Sequence, residues 1–292
     1  VRLIKDGYLK DVNITYEMQK IVDEILNDIS SAGAKLMNTV MLKSSDTYFL
    51  DHALNVTVLS VFVGRQYRFS RKELSSLALG SFLHDIGKVV ISQMTGNEKP
   101  AERTHPLYEE HPTFGYLMLH NSPNVSPLES QVVNQNHEYQ DGSGYPIGLK
   151  GSNTPPVKDA SRETKGQIFR FAEICCVANA FDNLNYNPTN PDSKSPDQAM
   201  KQLILESGSF YNKDVVQTVA KVVPFYPVGA TVKVINIVDP SLIGYRGVVA
   251  RINDDNINRP VIILTKNKFL KKIKPIAIDT SKYNNVELKL II

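Results

Sequence analysis

Four histidines spaced along a helical sequence constrain the fold of this chain more than any other feature. They are His52, His84, His111 and His137, and the successive intervals are 32, 27 and 26 residues. Each interval is about one helix plus one loop, so four helices can each direct one histidine towards a common centre. His84 is followed directly by Asp85, and imidazole and carboxylate groups together suit iron, manganese, zinc or nickel. The two oxygens of such a carboxylate can each bind one ion, and a bridged pair of ions is an arrangement that hydrolyses phosphoesters.

Apolar residues recur at mixed steps of three and four from Thr15 to about Val222, and this periodicity predicts a series of helices. Ser70 and Glu73 have the spacing of a capping box, which predicts that a helix begins just after Ser70. The predicted helices are Thr15–Leu42, Asp46–Tyr67, Arg71 to about Lys88, Thr113–Asn121, Leu128–Glu138, Thr164–Leu184, Gln198–Ser207 and Asp214–Val223.

The character of the sequence changes after Pro224, where glycine and proline separate runs that are typical of strands. The predicted strands are Thr231–Val238, Gly247–Ile252, Val261–Leu264 and Val286–Ile292. We therefore predict a mainly α chain in three parts: an N-terminal helical segment (1–45), a helical domain (46–224) and a β-rich C-terminal module (225–292). Lys266–Lys274 contains five lysines in nine residues. We interpret it as a solvated strand and turn, with attraction of an anionic partner as the alternative.

The composition excludes several classes of protein. With 42% hydrophobic and 22% charged residues, the chain is globular rather than disordered or fibrous. A net charge of +3 is too balanced for a dedicated nucleic-acid binder. The two adjacent cysteines, Cys175 and Cys176, form no disulfide framework and indicate a reducing compartment. The longest uncharged apolar stretch, Ala53–Gly64, is shorter than the roughly 20 residues of a membrane span. We expect a cytoplasmic protein without a membrane span or a nucleic-acid partner.

A second motif follows the fourth histidine. The sequence Asn136-His137-Glu138 leads into a loop of aspartate, serine and glycine that ends in Gly144-Tyr145-Pro146. Together with His84-Asp85-x-Gly-Lys, this loop resembles the HD-GYP family of bacterial cyclic di-GMP phosphodiesterases. The resemblance extends from about Asp46 to Leu184, and the sequence from Tyr226 onward looks like the β extension that often follows this domain.

The resemblance implies an HD-type helical bundle, a metal centre and a substrate site. It assigns six metal positions: His52, His84, Asp85, His111, His137 and Asn179. It gives catalytic roles to Asp85 and Lys88, and it places the substrate beside Lys88, Gly144 and Tyr145. It further implies two divalent ions, with iron as the first choice and manganese, nickel or zinc as alternatives. The implied partners are cyclic di-GMP or a related nucleotide, and a diguanylate cyclase or another signalling protein.

Three departures from the family pattern keep a second interpretation open. Asn136 stands where the family has a histidine, Asn179 stands where it has an aspartate, and the arginine that follows this helix is absent from Leu184–Pro188. Asparagine supplies no negative charge and binds a hard divalent metal more weakly than a carboxylate does. The alternative is therefore a catalytically weak or inactive domain that acts as a nucleotide-binding or protein-interaction module.

Overall fold

The computed structural model describes residues 16–32, 48–96, 101–120, 122, 124–157, 166–185, 193–253 and 255–291. The predicted start of the second helix at Asp46, most of the segment 1–45 and the sequence after Asn185 that lacks the arginine lie outside these residues. Within them, the helices are α1 (Tyr16–Ala32), α2 (Tyr48–Gln66), α3 (Arg71–Phe82), α4 (Ile86–Thr95), α5 (His111–His120), α6 (Pro127–Gln135), α7 (Arg170–Asn185), α8 (Pro196–Glu206) and α9 (Lys213–Val222). The strands are β1 (Thr231–Asn236), β2 (Arg246–Asn253), β3 (Asn256–Lys266), β4 (Lys272–Asp279) and β5 (Glu287–Leu290). The predicted fold class, mainly α with a small β-rich C-terminal part, is confirmed.

One predicted helix is wrong in a way that matters for function. The sequence predicts a continuous helix from Arg71 to about Lys88, but the chain leaves the helix after Phe82 and starts α4 at Ile86. The apolar pattern continues through the break, so periodicity gave no sign of it. In the turn, the His84 ring bonds back to the Ser81 carbonyl oxygen at 2.7 Å. The break takes His84 and Asp85 off a regular helix and places them between two helices.

The helical core is built around α2 and α7, which pack against each other and against α3, α8 and α9. Its buried residues include Val56 on α2, Phe171 on α7, Leu203 on α8 and Val219 on α9, all essentially inaccessible to solvent. Residues Arg71–Thr95 have the length and composition of a membrane span, but 67% of their most apolar window is buried inside the protein. They form α3 and α4 and contribute to the interior of the helical bundle.

The strands form one antiparallel sheet in the order β4-β3-β2-β1-β5. One face of the sheet buries its own apolar cluster, including Val232, Val249 and Ile262. Strand β4, which begins inside the lysine-rich segment, was not predicted from the sequence. Lys272, Lys274 and Pro275 interrupt the apolar alternation of its first half. The side chain of Asn258 joins the two parts: it accepts from the Phe225 amide at 2.8 Å and donates to the Ala220 carbonyl oxygen at 3.5 Å.

The capping box predicted from Ser70 and Glu73 is present at the start of α3. The Glu73 carboxylate also forms an ion pair with Arg170 at 2.7 Å. The Arg170 guanidinium lies over the rings of Phe69 and Phe171. Burial alone would raise the pKa of Glu73, but Arg170 and the hydrogen bonds at Ser70 lower it to about 2. This one carboxylate therefore fixes the start of α3 and connects it to α7.

We predict that Glu73→Gln lowers the free energy of unfolding by about 1–2 kcal/mol at neutral pH, because it removes the charge that Arg170 and the helix start both use. A carboxylate with a lowered folded-state pKa contributes stability above its unfolded pKa of about 4.3 and loses it as the pH falls towards 2. Urea unfolding of both proteins between pH 7 and pH 3 measures this. A stability difference that does not shrink on acidification would contradict the charge argument.

Candidate metal centre

Each of the four spaced histidines enters the same buried site from a different part of the bundle. His52 lies on α2, His84 lies in the turn between α3 and α4, His111 begins α5, and His137 lies two residues after the end of α6. The rings of His52 and His84 are 5.1 Å apart, and those of His111 and His137 are 4.9 Å apart. The four histidines therefore form two adjacent pairs.

Asp85 lies between these two pairs. Its Oδ2 atom is 3.6 Å from His52 Nε2 and 3.5 Å from His84 Nε2, while its Oδ1 atom is 3.3 Å from His111 Nε2. Among the described residues, two groups have ligand atoms within 4.8 Å of one another: His52, His84 and Asp85, and Asp85, His111 and His137. The two groups share Asp85 and offer one carboxylate oxygen to each side.

The backbone and a second carboxylate orient three of the imidazole rings. His84 Nδ1 lies 2.7 Å from the Ser81 carbonyl oxygen, and His111 Nδ1 lies 2.6 Å from that of Tyr108. A carbonyl oxygen only accepts, so Nδ1 carries the proton in both rings and the Nε2 lone pair faces the centre. The Nδ1 atom of His52 lies instead 2.6 Å from Oδ2 of Asp182.

Several buried polar atoms around the centre lack a protein partner. Among the described residues, Nε2 of His84, His111 and His137 and Oδ1 of Asp85 are buried without a hydrogen bond. Burying such atoms unpaired is costly, and native proteins rarely do so without a bound water, ion or ligand. Nitrogen donors with the proton on the opposite ring nitrogen, grouped around one carboxylate, fit divalent transition metals. The residues present therefore fit a metal centre.

The protonation states agree with this fit. Burial lowers the pKa of His84 to about 4 and holds the pKa of His137 well below its usual range, so both rings are neutral at physiological pH. Burial alone would raise the pKa of Asp85, but neighbouring charges, including that of Lys88, hold it well below its usual range. A metal ligand must be deprotonated before it binds, and these side chains already are.

Lys88 lies one helical turn beyond Asp85 on α4. Its Nζ atom is 2.6 Å from Asp85 Oδ2 and 5.0 Å from the centre of the Tyr108 ring. Burial lowers the pKa of Lys88, but the attraction of Asp85 outweighs burial and the net shift is upward. The ammonium group therefore stays charged at the edge of the centre, with 13% of its side chain exposed.

Glu138 anchors the loop that follows His137. Its Oε1 accepts from the Ile147 amide and its Oε2 from the Leu149 amide, both at 2.7 Å. The loop thereby turns back on the centre, and the Tyr145 ring stacks on the His137 ring at 4.7 Å with a 10° interplanar angle. The sequence resemblance predicted no specific contact for Glu138. In the structure, its carboxylate accepts hydrogen bonds from these two amides.

The two asparagines lie in different surroundings. Asn136 is fully buried and donates to the His84 carbonyl oxygen at 3.1 Å, while its own Oδ1 has no described partner. Asn179 is buried on α7, where its Oδ1 accepts from Asn183 at 2.5 Å. The role of Asn179 as a metal ligand stays a prediction.

Sequence reasoning missed Asp182 and Asn55. The Asp182 carboxylate accepts from His52 through one oxygen and from the Asn55 amide through the other, at 3.0 Å. These contacts span about 130 residues of sequence, so no local pattern indicates them. The only available signal was that Asp182 lies one turn after Asn179 on a predicted buried helix.

Comparison with known proteins agrees with this geometry. The model of the HD domain family matches residues 36–158, which include the four histidines of the centre, Asp85 and the Gly-Tyr-Pro loop. A cyclic di-GMP phosphodiesterase of Pseudomonas aeruginosa is 28% identical over 236 residues, which cover 80% of this chain and 53% of that protein. A 3'3'-cGAMP-specific phosphodiesterase of Vibrio cholerae is 22% identical over 220 residues, covering 74% of this chain and 39% of that protein. The chain thus spans about half the length of such relatives, or less.

The chain thus matches the HD domain family over residues 36–158, which supports the predicted resemblance to HD-GYP proteins. An HD-GYP-type protein from Bdellovibrio bacteriovorus shares its fold, with a TM-score of 0.51 and 20% identity over 69% of this chain and 59% of the other. The expected HD-type helical bundle is therefore confirmed.

The glycines of both HD-GYP motifs are explained by close backbone contacts. A Cβ atom on Gly87 would overlap the His111 carbonyl oxygen, so α4 can approach the start of α5 only without a side chain there. A Cβ atom on Gly144 would overlap the backbone of His137 and Tyr139. Each glycine therefore permits a backbone approach that brings one part of the centre close to another.

We predict that Gly87→Ala lowers the free energy of unfolding by about 2–4 kcal/mol, because α4 must move away from His111. The same movement separates Asp85 from His111, so metal affinity should fall as well. Gly96→Ala is the matched control: it has a left-handed φ of 69° but open space around its Cβ position. It should cost about 1 kcal/mol and leave metal binding unchanged. Equal effects of the two substitutions in thermal unfolding and metal titration would contradict the steric argument.

Proposed function

We propose that this chain is a metal-dependent phosphodiesterase that hydrolyses cyclic di-GMP to pGpG and then to GMP. The observation that carries the proposal is the convergence of four histidines on Asp85, with a charged lysine beside them. Within the described part of the chain, the buried Nε2 atoms of His84, His111 and His137 also lack a hydrogen bond. The names of its relatives support the reaction class. One of those relatives is specific for 3'3'-cGAMP, so a related cyclic dinucleotide is the second substrate to test.

In this proposal, His52, His84 and Asp85 hold one divalent ion, and Asp85, His111 and His137 hold another. Iron is our first choice and manganese, nickel or zinc are alternatives, because imidazole-rich sites with one carboxylate accept all four. Bound ions of this kind polarise a phosphate oxygen and make water a stronger nucleophile at neutral pH. Asn179 would complete the first group through its carbonyl oxygen only after releasing Asn183.

The protein supplies orientation and charge around that centre. Lys88 offers a charged ammonium to a phosphate oxygen, where it can stabilise the negative charge that builds up during hydrolysis. Before substrate binds, Asp85 holds Lys88 in place through an ion pair in which Oδ2 and Nζ are 2.6 Å apart. Asp182 is a positioning residue that keeps the His52 ring in the tautomer a ligand requires.

The Gly144–Pro146 loop forms the neighbouring wall of the proposed substrate site. Glu138 fixes the backbone of the loop through two amides, and Tyr145 is held against His137 by ring stacking. Burial raises the pKa of Tyr145, so its hydroxyl stays protonated and can donate to a phosphate or base. Residues 46–224 would form the catalytic domain and 225–292 a separate module.

The alternative of an inactive binding module rests on Asn136 and Asn179. All five histidine and aspartate side chains of the two groups are nevertheless present and mutually oriented, which supports an enzyme. A cytoplasmic location and a diguanylate cyclase partner also remain proposals. The two buried free thiols of Cys175 and Cys176 support the former.

We predict that Asp85→Ala removes at least half of the bound metal, because both groups lose their shared carboxylate. Elemental analysis of anaerobically purified full-length chain measures this, with pGpG release from cyclic di-GMP as the second readout. Glu109→Ala, which removes an exposed carboxylate close to His111 in the sequence, is the control and should change neither.

A second variant tests the lysine. Lys88→Gln should keep the metal and lower kcat/KM for cyclic di-GMP hydrolysis by roughly 100-fold. Full metal content in Asp85→Ala would refute the centre; metal without hydrolysis in the unmodified chain would refute the enzyme.

Replacing the two asparagines should raise metal occupancy and hydrolysis by different amounts. Asn179→Asp restores a negative charge beside the metals, whereas Asn136→His restores only a neutral ring, so the first should raise metal occupancy and hydrolysis more. The double variant should exceed both, because ligands of one centre act together rather than additively. Metal content and pGpG release of the four proteins measure this. If the unmodified chain already matches the double variant, the asparagines are adequate as they stand.

A further inference from the structure

The β-rich part of the chain carries a strong positive charge that the metal centre does not explain. Residues 225–292 contain 11 of the 33 basic residues and five of the 30 acidic ones, a net charge of +6. The rest of the chain has 22 basic and 25 acidic residues, a net charge of −3. The overall net charge of +3 therefore conceals two parts of opposite sign, and an anionic partner would be attracted to the β-rich part.

The basic side chains of the sheet form an ordered row. Strand register pairs Lys289 with Lys233, Lys233 with Arg246, Arg246 with Lys266, and Lys266 with Lys272. One basic residue from every strand thus lies in register with the next, over a width of about 19 Å at 4.8 Å per strand. Like charges directly opposite each other destabilise a sheet, so this row has a cost in folding stability.

Among the described residues, none of the five basic residues forms an ion pair, and Arg246 Nε is buried without a hydrogen-bond partner. The carboxylates of Asp239 and Asp279 bond instead to the neighbouring residues Ser241 and Ser281. The row therefore remains available to an anionic surface.

An apolar tip lies directly beside the row. Lys266 ends β3 and Lys272 begins β4, and the turn between them presents Phe269 and Leu270, which are 71% and 51% exposed. The Asn267 side chain holds this turn by accepting from the amides of Phe269 and Lys271. Two neighbouring apolar side chains are thus fixed at the end of a hairpin and flanked by lysines.

The backbone of the tip is strained in order to present Leu270. Its φ is +65°, a left-handed conformation that asparagine and glycine adopt far more readily than leucine. A turn selected only for stability and solubility would carry one of those residues here. The leucine is therefore unfavourable for the isolated protein both in conformation and in exposure.

We propose that this hairpin and the basic row form a peripheral binding surface for an anionic lipid bilayer. Phe269 and Leu270 would enter the boundary between headgroups and acyl chains, and the five basic side chains would lie against lipid phosphates. A nucleic acid would also match the charge. However, Phe269 has exposed neighbours near the row that are aliphatic, namely Leu270, Val248 and Ile276, so it is not extended into a series of aromatic platforms for successive bases.

The test is co-sedimentation of the full chain with vesicles of phosphatidylcholine alone, or with about 30% phosphatidylglycerol. We expect binding to the anionic vesicles only, weakened but not abolished by added salt, because the apolar tip contributes independently of charge. No binding to anionic vesicles would overturn the proposal. Tighter binding to single-stranded DNA or duplex RNA than to vesicles would assign the surface to nucleic acid instead.

Matched variants locate the surface. Lys266→Gln combined with Lys272→Gln should weaken vesicle binding by roughly tenfold or more, whereas Lys201→Gln with Lys221→Gln, on α8 and α9, should have little effect. Leu270→Asn should weaken binding while maintaining or raising Tm, because asparagine suits the left-handed turn. Leu205→Asn is the control, since Leu205 is 81% exposed on α8. Equal effects of sheet variants and control variants would refute the assignment.

Discussion

The structure of the helical domain depends on where one carboxylate lies. Asp85 is within 3.6 Å of three imidazole nitrogens and within 2.6 Å of the Lys88 ammonium, in a site almost closed to solvent. A charge buried that deeply is tolerated only when paired or bound to metal. The break between α3 and α4 puts Asp85 there, and Gly87 lets the following helix approach α5 closely enough to bring His111 within reach.

Sequence predicted the members of this centre better than it predicted their supports. The spacing of the histidines and the two motifs pointed to side chains that the structure brings together, because each lies within a local pattern of helix and loop. Asp182 and Asn55 could not be found in this way, since their contacts depend on how α2 packs on α7, far apart in sequence. The turn at Leu83–Asp85 was missed because the apolar pattern continues through it. Strand β4 was missed because lysines and a proline occupy its first half.

The Gly-Tyr-Pro loop is held by direct contacts to residues of the candidate metal centre. Glu138 directly follows His137 and binds the loop's backbone, and Tyr145 returns to stack on the His137 ring. Any contact that displaced the loop would therefore also move a proposed ligand. Among the described residues, the β-rich part has no such contact with the centre. Its distinguishing features are its positive charge and its exposed hairpin tip.

The way in which the histidine rings are held has a consequence for how the protein can change by mutation. His84 and His111 are oriented by main-chain carbonyl oxygens, which every amino acid supplies, so substitutions at Ser81 or Tyr108 need not disturb those rings. His52 depends on a side chain, Asp182, that a single nucleotide change can remove. Substitutions outside the ligands can therefore disturb the His52 side of the centre more readily than the other side. The neutral residue at position 179 lies on that same helix, one turn from Asp182.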